Sequence, residues 1–275
     1  MSPVGTRVDD FRCHDERLVQ ILPGREEEAV EVALSLRDAD ACDGVFVAGK
    51  DVIDWRFVER VGSLDRFFFS NVDRSFKEVD MSVLRNARAL GIAETETDLD
   101  LRLFERLSFL SYQWKSLPDG LAGLPSLREV RFWGVGKDME RGEFGLPPWL
   151  EVFRVTGYTG NRLQVGDELS SLDVLSLSRA RNLVALPRLD SVRSVDISFV
   201  GRDVFDYQTI PEDVEELVID SCAPIQDWRF LEGKTRLRRL FIDRTKFVAP
   251  DASTRTLIGT IEDVHVPALR MEASS

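Results

Sequence analysis

Histidine is almost missing from this chain: His14 and His265 are the only two in 275 residues. No Ser-His-Asp set and no HxxxH pair can be written from them, which removes the commonest hydrolytic and zinc sites. Both read as surface histidines. Cysteine is nearly as scarce. Cys13, Cys42 and Cys222 are odd in number, widely scattered and without CxxC spacing, so neither a disulfide framework nor a metal site is expected. No apolar run approaches the roughly 20 residues needed to span a bilayer. The opening "MSPVGTRVDDFRCHDER" is too charged for a secretory signal. A cytoplasmic protein with reduced thiols is the expectation.

Positive charge is also in deficit, the net charge being −12. That field repels phosphate backbones and anionic lipid, so neither nucleic acid nor a membrane is an expected partner, and a basic protein suits it better. "GVGKDMERGEFG" is glycine-rich and contains a lysine but lacks G-x-x-x-x-G-K-[ST], so no phosphate loop follows from it. No cofactor and no metal are implied.

What the chain has in abundance is periodicity. "DWRFVE" at Asp54 and "DWRFLE" at Asp227 set the phase of a repeat, because a Leu follows each Trp by nine residues. An apolar ladder at offsets 0, 3, 6 and 8 then recurs. It reads Ala39/Cys42/Val45/Val47, Val61/Leu64/Phe67/Phe69, a weak Met81/Leu84/Ala87/Ala89, Phe104/Leu107/Leu110/Tyr112 and Leu124/Leu127/Val130/Phe132. It continues as Pro147/Leu150/Phe153/Val155, Leu169/Leu172/Leu175/Leu177, Leu189/Val192/Val195/Ile197 and Pro211/Val214/Leu217/Ile219. Lys234/Leu237/Leu240/Ile242, with a polar first rung, and Ile258/Ile261/Val264/Val266 close the series. One such ladder arises by chance about 3 times in 100 at this apolar content, but about ten at a step of roughly 20 to 24 residues do not. The final +2 step is strand alternation and the +3 steps lead into it, so each unit is one short strand with a return path.

"PIQDWRFLEGKTRLRRLFID", "DVIDWRFVERVGSLDRFFFS" and "LPDGLAGLPSLREVRF" resemble units of the leucine-rich-repeat family, in its short bacterial and phosphatase-regulator-like forms. The resemblance covers residues 39–267, about ten coils. It implies an α/β, β-rich solenoid with a parallel sheet on its concave face, and a protein-recognition role without catalysis. One departure stands out. The family places Asn or Cys three residues beyond the ladder, and only Cys222 matches; Val72, Val135, Tyr158, Ala180, Val200 and Thr245 hold the other positions.

Residues 1–38 read as an N-terminal cap, in which Val30, Val32 and Leu34 of "EEEAVEVALSLRD" alternate as in a strand. Residues 268–275 read as a tail, and 74–102 as a distorted coil containing a helix-like "FKEVDMSVLRNARAL".

Chemistry in the DWRF pair would make Asp54 and Asp227 acid/base groups and Arg56 and Arg229 substrate clamps. Their shared phase, several coils apart, instead makes them two copies of a packing element. Side chains between the ladder positions point to the opposite side of each strand. That places Phe46, Phe68, Ser111, Arg131, Arg154, Ser176, Asp196, Val218, Phe241 and His265 outward, with Trp133, Thr156, Ser178, Ser198, Asp220 and Asp243 in the next column.

Two binding clusters are expected on that side. One sets Trp133 between Arg131 and Arg154, and the other sets Asp196, Glu216, Asp220 and Asp243 around Val218 and Phe241, with Trp133 and Phe241 as anchors; Phe68 is a further protein-binding residue. The function read from this is a non-catalytic module that binds a protein partner through the solenoid surface, its narrower form an intracellular inhibitor. An immunity protein against a basic toxin or nuclease is the alternative. A carboxylate hydrolase, for which Glu216 and Asp220 are the candidate pair, is the contrasting class.

Overall fold

The computed structural model describes residues 17–48, 52, 54–70, 72, 74–93, 99–113, 118–135, 144–166 and 169–267. It divides into two compact units, one ending at Arg128 and the other starting at Glu129. The first holds β1 (Leu18–Ile21), α1 (Glu26–Asp38), β2 (Gly44–Ala48), α2 (Phe57–Val61), β3 (Arg66–Ser70), β4 (Ala89–Ala93) and β5 (Phe109–Gln113). The second holds β6 (Glu129–Trp133), β7 (Val152–Thr156), β8 (Val174–Ser178), β9 (Ser194–Ser198), β10 (Glu216–Asp220), β11 (Arg239–Asp243), α3 (Ala252–Ile258) and β12 (Asp263–His265). Within each unit the strands are parallel and follow one another in chain order. Each is thus a β-rich solenoid of the irregular leucine-rich-repeat kind.

The ladder is the core. In the first unit Val19, Val45, Phe67, Leu90 and Leu110 stand opposite one another across successive strands. In the second, Val130, Phe153, Leu175, Val195, Leu217, Leu240 and Val264 do so. All of these but Val264 are buried, and each large apolar side chain so removed from water contributes roughly 1.5–3 kcal/mol.

Three local expectations need correction. The weak copy at Met81/Leu84/Ala87/Ala89 is out of frame by three, because Phe67 pairs with Leu90 and Phe69 with Ile92. The true ladder is Leu84/Ala87/Leu90/Ile92, and all four are buried. Second, "FKEVDMSVLRNARAL" forms no α-helix. It makes two short 3₁₀ turns, Arg74–Glu78 and Met81–Leu84, followed by the regular strand β4. Third, "EEEAVEVALSLRD" is the helix α1 and not an alternating strand. Ala29, Val30 and Ala33 form its buried stripe, Glu26, Glu27 and Glu28 complement the positive end of its dipole, and Arg37 complements the other end. The strand of this segment comes earlier, as β1. The tail 268–275 and the segments 94–98 and 136–143 lie outside the described residues, as do Cys13 and His14.

The position that lacks Asn has a backbone solution. Val72, Val135, Tyr158, Ala180, Val200 and Thr245 are all buried there. Direct amide bonds join neighbouring coils: Thr159 N–H donates to Val135 at 3.1 Å, Gly201 to Ala180 at 3.2 Å and Ala223 to Val200 at 3.0 Å. At Val135, Ala180 and Val200 a side-chain amide would therefore have nothing left to satisfy, whereas Thr245 keeps the polar role, its Oγ1 accepting from Cys222 N–H at 3.0 Å.

The DWRF copies are packing elements, each complete within its own unit. Trp55 packs on Phe57, Phe69 and Phe76, and its Nε1 donates to Ser75 Oγ at 2.8 Å. Trp228 packs on Phe230 and Phe247, and its Nε1 donates to the Val248 carbonyl at 2.7 Å. Both indoles thus reach a residue 20 positions further on, in the next coil. The aspartates close the turn: Asp54 accepts from Arg56 N–H at 3.0 Å and Asp227 from Arg229 N–H at 2.8 Å. Asp80, Asp100 and Asp206 do the same for Ser82, Arg102 and Gln208. This aspartate-capped turn recurs in the return path, and it explains an acid at that phase without catalysis.

Candidate recognition surface

The outward columns fall in register as the alternation requires. Across the second unit Arg131, Arg154, Ser176, Asp196, Val218, Phe241 and His265 form one row. Trp133, Thr156, Ser178, Ser198, Asp220 and Asp243 form the next. Each strand holds its side chains at a spacing of about 4.8 Å from the next.

Contacts within these rows differ from the expected clusters. Arg131 and Arg154 are direct neighbours on β6 and β7, and Trp133 lies opposite Thr156, one row further along the strands. Glu129 holds both arginines instead. Its Oε1 is 2.8 Å from Arg131 Nε and 3.4 Å from Arg154 Nε, the latter an ion pair without hydrogen-bond geometry. Trp133 is 45% exposed, a large apolar surface fixed on a strand.

One cation from within the fold, Arg244, answers part of the acidic group. Arg244 clamps Asp220 with Nε at 2.9 Å from Oδ1 and Nη2 against Oδ2, and its Nε lies 3.4 Å from Asp243. Asp196 is half-buried; desolvation raises its carboxyl above the ordinary range, partly opposed by a bond from Ser176 Oγ at 3.3 Å. Phe241 lies stacked on His265 with ring centres 4.5 Å apart. Glu216 and Asp220, the candidate hydrolytic pair, sit at opposite ends of β10. Four residues of strand separate them by about 13 Å, so they do not form a carboxylate dyad.

In the first unit Phe68 lies across Gly91 toward Phe109, with ring centres 6.0 Å apart, and Arg66 sits 5.7 Å over its ring. Its ring thus covers the bare backbone at Gly91.

A groove of about 660 Å³ before β8 and β9 is lined by Leu169, Ser170, Arg188, Leu189 and Asp190, with Arg188 paired to Asp190 at 3.2 Å. Another of about 360 Å³ borders Asp54, whose carboxylate Arg56 holds down at about 2. The Cys222 thiol is pushed up to about 11 by burial, and Cys42 is raised by the same cause, which makes both poor nucleophiles at neutral pH. Among the described residues no group of three or more His, Cys, Asp or Glu could hold a metal, and no helix is long and apolar enough to cross a membrane.

Sequence reasoning missed two features. Glu129 and Arg244 decide the electrostatics of the surface, yet both look like ordinary solvated charges in the sequence. The other is a row of left-handed residues immediately after the strands: Gly134, Gly157, Arg179, Phe199, Ser221 and Arg244 all have positive φ. No residue type marks the last four.

No family model matches the chain, and no curated protein matches it. Among solved structures it is similar to a leucine-rich-repeat protein of Leptospira interrogans, at 11% identity and a TM-score of 0.49, covering 94% of this chain and 73% of that one.

Proposed function

We propose that the chain is a protein-recognition module that binds a partner through the outward side of the sheet in its second unit, without chemistry. The exposure of Trp133 on β6 carries the reading: an aromatic held by a strand has little ordering entropy to lose on binding, and aromatics dominate binding hot spots. Arg131, Arg154, Asp196, Val218, Phe241, Asp220 and Asp243 share that side, and Phe68 is the corresponding contact on the first unit.

The finer reading, an intracellular inhibitor or immunity protein facing a basic toxin, draws support from the net charge of −12. It draws less from the acidic row, because Arg244 already holds Asp220 and Asp243. The test places a photocrosslinking amino acid at Val218 or at Ser253 and captures partners in cells, then measures affinity with purified components. The reading expects capture at Val218 alone, and a loss of at least about tenfold in W133A. Equal affinity in W133A and F241A, both folded, overturns it.

A further inference from the structure

Most arginines of the second unit are spoken for: Arg131, Arg154, Arg188, Arg193, Arg229, Arg236, Arg239 and Arg244 all face carboxylates. Four of the remaining cations gather in one place, whereas the exposed Arg162, after β7, and Arg238, just ahead of β11, lie outside it. Arg179, Arg181, Arg202 and Lys246 are exposed and make no ion pair among the described residues. All four lie in the loops that follow β8, β9 and β11, together with Arg244. Over the first residues of these loops, 179–184, 199–206 and 244–248, the carboxylates are Asp203 and Asp206, and Asp206 caps the turn at Gln208; Asp190, Glu212, Asp213, Glu215, Asp251 and Glu262 come later in the same loops. A chain with a net charge of −12 therefore carries a cationic edge.

Apolar side chains stand among these cations. Phe199 is 38% exposed, Val184 42%, Val248 44% and Val204 69%, all on the same loops. The edge is built to be rigid. Arg179 N–H bonds to the Ser198 carbonyl at 2.9 Å, Phe199 N–H to Asp220 at 2.9 Å and Ser221 N–H to Asp243 at 3.1 Å, one step along the solenoid each time. Deeper in the loops Val184 N–H bonds to Asn161 at 3.2 Å and Asp206 N–H to Val184 at 2.7 Å, and Ala185 and Asp206 form a parallel bridge. Side chains two coils apart are thus fixed at about 10 Å, the reach of a short extended segment.

We infer that this post-strand edge is a second docking surface, separate from the outward sheet, and that it takes an acidic protein segment carrying aliphatic or aromatic side chains. Charge complementarity selects the occupant: within about 8 Å at physiological salt the local cations outweigh the remote acidic field. A base can stack on Phe199, but the aliphatic Val184, Val204 and Val248 around it offer contacts suited to protein side chains and not to base stacking. A carboxylate-rich segment with Leu or Phe at intervals satisfies both, and Arg179 and Arg202 present planar donor forks suited to carboxylates.

The test uses fluorescence anisotropy with the full chain and four labelled probes. These are a peptide alternating Glu and Asp with Leu and Phe, a polyglutamate of equal charge, an oligo-dT of equal charge and a lysine-rich peptide. The inference expects the acidic-apolar peptide to bind best, more weakly at about 300 mM than at about 50 mM salt. The triple variant R179Q/R181Q/R202Q is expected to bind it at least about tenfold more weakly, and V204S more weakly than wild type, with circular dichroism unchanged. F241A, which tests the sheet surface, is expected to leave peptide affinity unaltered. Equal binding by wild type and the triple variant overturns the inference, as does no binding at all. Tighter binding of oligo-dT assigns the edge to nucleic acid instead, and a dimer by sedimentation that the triple variant loses, with no peptide effect, assigns it to a second copy. A peptide that responds to F241A and not to the triple variant returns the contact to the sheet.

Discussion

Lys234 donates from its ammonium to the carbonyl of Ile210, 2.9 Å away, at a ladder rung where other coils place Leu124, Leu169 or Leu189. The lysine is only 7% exposed, and desolvation lowers its pKa from 10.5. Between that lowered value and 10.5 the unfolded chain binds more protons than the folded one, so stability rises with pH across this window. Lys234 thus opposes folding at neutral pH in its charged form. K234M, an apolar rung of similar length, is expected to stabilise the protein by about 1 kcal/mol at neutral pH and to flatten that alkaline rise. Urea melts from neutral pH to about pH 10 measure both; a destabilised K234M at neutral pH would mean that the bond to Ile210 outweighs desolvation.

Gly91 is held to glycine by Phe68. A Cβ at position 91 would lie 2.4 Å from Phe68 Cδ1, too close for any real contact. G91A is therefore expected to lose about 1–2 kcal/mol, and the loss should shrink to a few tenths in F68A/G91A, where the ring is gone. A double-mutant cycle by chemical denaturation checks it. Equal losses in both backgrounds would place the origin of the effect in the strand backbone and not in the ring.

The left-handed row after the strands predicts two opposite substitution effects at equivalent sites. Gly134 and Gly157 have φ of +67° and +76°, whereas Arg179 and Phe199 have φ of +57° and +54° with a Cβ to accommodate. A left-handed residue other than glycine costs roughly 1–2 kcal/mol, offset by the smaller entropy loss of the side-chain-bearing chain. G134A meets no atom within 4 Å, so its expected loss of about 1 kcal/mol reports backbone strain alone. R179G and F199G are expected to be neutral or to gain up to about 1 kcal/mol in the same melts. Retaining Arg and Phe at strained positions is then consistent with a use at the surface. Marked destabilisation of R179G would show that its side chain supports the fold.

How far the sequence could be read depended on which forces leave a periodic trace. Burial does, because a rung such as Leu172 or Val195 must be apolar in every coil, and the outward rows follow from strand alternation alone. The frame slipped at Met81 because Ala87 is small and Ala89 resembles a rung in composition. Only the pairing of Phe67 with Leu90 fixes the register. The helix α1 reads as a strand because Val30, Val32 and Leu34 alternate by chance, while the buried positions between and before them are the small Ala29 and Ala33 and the polar Glu26. The recognition surface was legible as positions but not as electrostatics. Which arginine reaches which carboxylate depends on loop geometry: Arg244, at a positive φ, lies over Asp220 of the preceding coil, and no pattern of residue types announces that.

The two DWRF elements set indole and carboxylate against each other, and the structure ranks them. Asp54 is held at about 2 by Arg56, and the Arg229 hydrogen bond lowers Asp227 likewise. A depressed folded pKa gives stability that is present above the unfolded value of 3.8 and lost as pH falls through the folded one. The contribution of the Asp54 pair should therefore fade between about pH 4 and about pH 2, and that of the Asp227 pair as pH falls below 3.8. Both pairs are exposed, and asparagine can still cap the turn, so D54N/D227N is expected to change the melting temperature little at neutral pH and less in high salt. W228F is expected to do more. It removes the bond to the Val248 carbonyl and leaves a partly buried acceptor unpaired, a loss of about 1–2 kcal/mol at any pH from about 4 to about 8. W55F should follow the same course through Ser75. Thermal melts of the three variants at acidic and neutral pH separate the contributions, and an asparagine pair that destabilises more than W228F would make the aspartates, not the indoles, the clamp between coils.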